Sequence, residues 1–232
     1  MKRFWREATV AQGDGGWQVL LDGRPVRTQG GAAQIVPTRA LADALAAEWA
    51  AQGAEVDTTA FPLRDLTDLA IDRVAPAPAA QVAALLRYAE TDTLLYRADP
   101  DEPLHRRQLD QWEPLVRAAE TRWAVTFDRT SGVIHRPQPA ETLTRMEDVL
   151  AGQDPFRLAA LATMAPLAAS LIVALAALDN NPPADLFAAA NLEEDWQAEL
   201  WGQDAEAARV RSARLGAFTA AAHFAKLLPP VR

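Results

Sequence analysis

Three observations predict an α+β fold, in which a small N-terminal α/β domain with a hairpin-containing sheet plus a helix precedes a larger irregular helical bundle. Two β-suited runs flank Asp22-Gly23 in "GWQVLLDGRPVRT". The prolines of "APAPAA" punctuate the chain near residue 76. Nearly every segment beyond that point carries helical periodicity. Strands followed by a helix that can cover them form one of the few layer arrangements that bury an apolar sheet face. The domains expected are 1–76 and 77–232.

The hairpin comes first in the chain. Asp-Gly accepts the positive φ angles of a two-residue turn, and the runs on either side suit strands. Gly13, Gly15 and Gly16 in the preceding "GDGG" stretch lack the spacing and the strand-to-helix setting of a phosphate loop, so they read as turn residues. Ile35-Val36 suggests another short strand. In "PTRALADALAAEWAAQG", Thr38 fits an N-cap, Leu41, Leu45 and Trp49 mark an apolar stripe, and Gly53 marks a stop. "FPLRDLTDLAIDRV" reads as a further helix.

Past residue 76 the pattern predicts helices over Ala79–Arg97, Pro103–Trp123, Ala140–Leu150, Asp154–Leu178, Ala184–Trp201 and Asp204–Leu228. "AVTFD" and "GVIHR" suggest a small hairpin across Thr130-Ser131-Gly132. Residues 158–178 carry no charge and match the roughly 20 residues that cross a bilayer. That run is alanine-dominated, holds Thr163, Pro166 and Ser170, and lacks aromatic and basic flanks. A buried central helix capped by Asp154 and opened by Pro155 is expected, with no membrane insertion.

Composition narrows the function classes. A 232-residue chain that is half hydrophobic and 23% charged suits a globular protein with a substantial core. Its formal charge of −8 argues against nucleic acid and anionic membrane surfaces, which draw their affinity from basic footprints. The basic run His105, Arg106, Arg107 is short and reads as a solvated helix face. Without cysteine there is no disulfide, thiolate nucleophile or cysteine-ligated zinc. "MKRFWREATV" has no apolar region after its basic residues, so no secretory signal is read and a cytoplasmic location is expected.

Signatures of common enzymes are missing: no GxSxG, HExxH, Walker loop or dinucleotide glycine fingerprint occurs. His105, His135 and His223 have no partner at ligand spacing. No catalytic residue, metal site or cofactor is expected. Asp92, Arg97, Asp72 and Arg73 are expected to form ion pairs that fix helix packing.

"NLEEDWQAELWGQ", residues 191–203, is the stretch that asks for a function. On one continuous helix, Leu186, Ala190, Glu193, Gln197, Leu200 and Trp201 share a stripe, so a carboxylate and an amide interrupt an apolar face. A buried carboxylate needs a partner, water or a ligand. Pairing Glu193 with Glu199 or Glu206 leaves open an acid-residue hydrolase or metal-dependent enzyme that uses the C-terminal carboxylates. Helical spacing favours a solvated face for Glu194, Asp195 and Asp204. Trp49, Trp112, Trp123, Trp196 and Trp201 all fall in helical segments. Tryptophan is chiefly a core residue, and it also anchors protein interfaces.

In order along nearly the whole chain stand "KRFW", "GWQVLLDGRPVRT", "VPTRALADALAAEWAAQG", "FPLRDLTDLAIDRV", "YAETDTLLYRA", "SGVIHRPQP", "SLIVALA" and "NLEEDWQAELWGQDAEA". Together these resemble the assembly chaperones of the ATP synthase catalytic head, the type that binds the free α subunit in mitochondria and α-proteobacteria. Glu193, Gln197, Trp201 and Gly202 match the family's acid, glutamine and Trp-Gly pattern. Phe61, Arg64, Asp65 and Asp68 depart from its usual methionine, threonine-arginine pair and asparagine. The mitochondrial members' targeting presequence has no counterpart here, which fits an α-proteobacterial member.

The resemblance implies an N-terminal α/β domain, a C-terminal helical domain, no catalysis and no cofactor. It also implies a partner, the unassembled ATP synthase α subunit, shielded until β subunits replace the chaperone. Partner-binding residues expected on this basis are Glu193, Gln197, Trp201, Trp196, Glu199, Glu206 and Trp49. A monomer is expected.

Overall fold

The structure is a computed structural model that describes residues 2–132, 135–179, 181–202 and 204–230. Strands β1 (Ala8–Gly13) and β2 (Gly16–Leu21) pair antiparallel, with Ala8 opposite Leu21 and Gly13 opposite Gly16. Strand β3 (Arg24–Pro25) returns along β2 through Asp22 (φ 47°) and Gly23 (φ 79°), the predicted two-residue hairpin. The "GDGG" stretch forms the β1–β2 turn. Strand β1 has no strong signal in the sequence, because "ATVAQG" has little β-branched or aromatic content and gains its ladder only opposite β2. Ile35-Val36 makes a single bridge to Trp17, not a strand. That bridge brings the Val36 carbonyl so close to Gly16 that a Cβ there would collide with it.

Helix α1 (Arg39–Ala50) starts where Thr38 Oγ1 accepts from Leu41 N at 3.1 Å, and it buries Leu41, Leu45 and Trp49 against the sheet. Its last turn packs Trp49 between Trp5 and Phe61, with ring centroids 4.9 and 4.6 Å away. Helix α2 (Pro62–Leu69) begins at Phe61, which has no side-chain acceptor to cap it. Glu48 of α1 takes that role, accepting from Leu63 N at 2.7 Å and Arg64 N at 2.9 Å. The helix widens into a π turn over Ala70–Val74. Asp72 accepts from Thr28 Oγ1 at 2.7 Å and Gly30 N at 2.8 Å, so it pins a loop; among the described residues it pairs with neither Arg73 nor another cation.

Helix α3 (Pro78–Glu90) is shorter than the predicted Ala79–Arg97. Asp92 ends the pattern by starting a single 3₁₀ turn, Thr93–Leu95. Strand β4 (Tyr96–Arg97) then pairs parallel with β5 (Thr130–Ser131), which corrects the expected hairpin across Thr130-Ser131-Gly132. Val133 and Ile134 of that expectation lie outside the described residues. Helix α4 (Pro103–Trp123) has the predicted bounds, and α5 (Ala140–Ala151) nearly so.

Two predicted long helices are each broken. Residues 154–178 form α6 (Pro155–Ala168) and α7 (Leu171–Ala176), separated by Ala169 at φ 46° and by Ser170, whose hydroxyl accepts from Val173 N at 3.0 Å. Asp154 caps α6 as expected, accepting from Phe156 N and Arg157 N at 2.9 and 3.0 Å. Residues 184–201 form α8 (Pro183–Ala190) and α9 (Leu192–Trp201), broken at Asn191, whose side-chain amide donates back to the Phe187 carbonyl at 2.8 Å. Helix α10 (Ala205–Lys226) follows. Among the described residues no single helix is long and apolar enough to cross a membrane.

The chain divides into two units that differ from the simple split at residue 76. The first comprises Met1–Pro78, Asp154–Ala160 and His223–Arg232; the second comprises Ala79–Gln153 and Leu161–Ala222. Contacts inside the first unit explain its discontinuous membership. Phe156 stacks on Phe224 at 6.3 Å, Thr38 Oγ1 donates to the Leu227 carbonyl at 2.5 Å, and Arg157 donates to the Pro229 carbonyl.

Candidate docking surface

The first turn of α9 carries Glu193, Glu194 and Asp195, as the positive end of a helix dipole favours. Each acid is then held from a different place in the second unit. Glu193 Oε1 accepts from Gln108 Nε2 at 2.8 Å. Gln108 is wholly buried in α4; its own oxygen accepts from Ala98 N at 2.8 Å, and its carbonyl accepts from Arg97 at 3.1 Å. Burial beside α4 pushes the Glu193 carboxyl above its ordinary range, and the Gln108 hydrogen bond partly counters that.

Asp195 meets Arg211 of α10 at 2.5 Å, and Glu194 meets Arg214 at 3.3 Å. Arg214 also donates to the Leu167 carbonyl at 2.9 Å. Glu199 pairs with Arg107 of α4 at 2.8 Å, which holds its carboxyl below the usual range. The same guanidinium lies over the Trp196 ring, 4.5 Å from its centre. The Glu206 carboxylate makes an exposed contact with Arg209 at 3.7 Å.

Glu193, Glu199 and Glu206 therefore have separate partners and do not converge. Among the described residues no group of three or more His, Asp or Glu side chains is placed to hold a metal ion. Glu193 ties α9 to α4 through Gln108.

The break at Asn191 also changes what the stripe means. Leu186 and Ala190 lie on α8 and are buried, whereas Glu193, Gln197, Leu200 and Trp201 lie on α9 with a new helical phase and face outward. Leu200 is 58% exposed and Trp201 83%. No apolar core face is interrupted. A groove of about 410 Å³ runs beside them, lined by Glu194, Gln197, Ala198 and Trp201 of α9 and by Ala207 and Ala208 of α10. Val210 of α10 is half exposed as well.

Of the other tryptophans, Trp112 is wholly buried and donates to the Ala189 carbonyl at 2.7 Å, and Trp123 is buried. Trp49 belongs to the first unit, where it is nine-tenths buried and does not stand exposed as an anchor. Arg97 does form an expected ion pair, with Glu113 at 3.1 Å. Asp92 does not: it accepts from Leu94 N at 3.0 Å and Ile172 N at 2.9 Å. Gln108, Arg211 and Arg214, which hold the α9 acids, have no sequence signal of that role, because nothing local marks a partner far along the chain.

Residues 2–120 match the family described as ATP12 chaperone protein. The mitochondrial protein atp12 of Schizosaccharomyces pombe is 28% identical over 214 residues, 87% of this chain and 74% of that one. The crystal structure of Atp12 from Paracoccus denitrificans superposes with a TM-score of 0.94 at 39% identity, covering 98% of each chain. A mutant of that protein gives a TM-score of 0.93 at 39% identity, covering 97% of each.

Proposed function

The chain belongs to the ATP12 chaperone protein family, and on that premise we propose that it serves assembly of the ATP synthase catalytic head as a cytoplasmic monomer, binding the unassembled α subunit. It is a binding protein, not an enzyme. One observation carries the choice of surface: Trp201, 83% exposed beside Leu200 and a groove, contributes almost nothing to the core. A large aromatic held in water at the end of a firmly anchored helix suits an interface anchor.

An α subunit without its neighbours exposes apolar subunit-interface surface, and a partner that covers it suppresses self-association. Displacement by β subunits follows from competition for that surface, by mass action alone. In this reading Trp201, Gln197 and Leu200 touch the partner, with Glu206 at the rim. Glu193, Glu199 and Trp196 act as positioning residues that hold α9 against α4.

Capture of the free α subunit by purified chaperone tests the reading. Trp201→Ala is expected to weaken capture at least about tenfold while the thermal midpoint stays at the wild-type value. Equal capture by wild type and Trp201→Ala rejects this surface.

A further inference from the structure

The first unit carries a groove of about 400 Å³, independent of α9. Leu21, Val26 and Trp49 form its apolar wall, and Phe4 stands at its rim. Phe4 is 71% exposed, whereas the adjoining Trp5, edge-on to it at 5.0 Å, is 3% exposed. The core thus takes the second ring and leaves the first in water.

Charge distinguishes this groove from the rest of the chain. In a protein of formal charge −8, it is lined by Arg24, Arg27 and Arg64 against one carboxylate, Asp68. Asp68 is already occupied, accepting from Gln34 Nε2 at 2.6 Å and Gln29 N at 3.0 Å. Arg64 is satisfied by Asp65 at 2.7 Å and lies over the Phe61 ring. Arg27 spends one nitrogen on the Gly31 carbonyl at 2.8 Å. Arg24 is exposed, and its guanidinium has no ion pair or hydrogen bond among the described residues. Two guanidinium groups therefore keep donors free beside an apolar opening.

Pro25 lies on the edge strand and has no N–H, so the edge is poorly suited to strand addition and the groove is read through side chains. Its two guanidinium groups with free donors, Arg24 and Arg27, sit exposed at the rim, and its buried polar groups Thr28 and Asp68 are already hydrogen-bonded inside the protein, unlike the converging groups of a small-molecule site. We propose that this groove docks an acidic peptide segment of a partner protein, with one bulky apolar side chain seated between Phe4, Val26 and Trp49 and carboxylates meeting Arg24 and Arg27.

The test uses the full chain on an array of synthetic peptides graded in net charge at constant apolar content. Wild type is expected to retain acidic peptides, and the retention to fall with added salt. Arg24→Glu/Arg27→Glu should lose at least about tenfold in affinity for those peptides. Phe4→Ala should lose retention without a change in thermal midpoint, because the ring is exposed. Trp201→Ala should leave retention unchanged, which separates this groove from the α9 surface. A charge preference that is identical in wild type and Arg24→Glu/Arg27→Glu overturns the proposal. So does self-association that the double reversal abolishes, which would assign the groove to a second copy of the chain.

Discussion

Two carboxylates in the second unit each hold a helix, and they do so in opposite ways. Asp92 is wholly buried at the break between α6 and α7, accepting from Leu94 N and Ile172 N. Glu193 lies at the surface of α9, and among the described residues Gln108 is its one side-chain hydrogen-bond donor. Full burial pushes Asp92 up to about 6, and the partial desolvation of the Glu193 carboxyl where it meets α4 raises it above its ordinary range. Asp92 thus substitutes for backbone acceptors that the helix break removed, while Glu193 aims a helix whose far end faces solvent. A carboxylate tied into several backbone amides is architecture; one tied to a single side chain positions a surface.

The sharpest way to break this contrast is to remove Asp92. Asp92→Ala leaves at least two buried amides without an acceptor, and a loss of about 3 kcal/mol is expected in urea denaturation. A loss equal to that of Glu193→Ala would erase the distinction.

The pH dependence of Asp92 follows with its sign. In the unfolded chain an aspartate titrates near 3.9, and in the folded protein Asp92 titrates at about 6. The native state holds this proton more tightly, so ionisation costs stability. The group's contribution is greatest below about pH 4 and is lost as pH rises to about 6, by on the order of 3 kcal/mol. Asp92→Asn lacks that slope. The difference in denaturation midpoint between wild type and variant should therefore change between about pH 4 and pH 7. A constant difference across that range would contradict the assignment.

The smallest effect belongs to the surface carboxylate. Glu193→Ala leaves the buried Gln108 amide without its acceptor, at an expected cost of about 1 kcal/mol. Capture of the free α subunit should weaken as well, through the misplaced end of α9. Glu193→Gln keeps an acceptor and should restore most of both, whereas a role in direct charge contact would leave Glu193→Gln as weak as Glu193→Ala.

Much of the fold was legible because its signals are local. Asp22-Gly23, the Thr38 cap and the Asp154-Pro155 start each act over a few residues, and each appears in the structure as read. The helix breaks were not legible. Ala169 takes a positive φ that alanine's own preferences oppose, and a neighbouring buried carboxylate meets the amides it frees. Asn191 breaks an otherwise continuous pattern and turns α9 into a new phase, so the stripe from Leu186 to Trp201 never forms. The parallel pairing of Tyr96–Arg97 with Thr130–Ser131 has no turn to announce it.

By itself the sequence determined the caps, the β2–β3 turn, the helical content of the later chain and, through the order of its motifs, the family. It also marked Glu193, Gln197 and Trp201 as residues in search of a role. Only the tertiary structure decided which distant side chains the α9 carboxylates meet. Glu193 meets Gln108 across 85 positions of sequence and Glu199 meets Arg107 across 92. Local propensity fixes backbone angles within a turn or two, but a side chain's partner depends on which distant surfaces the whole fold brings together.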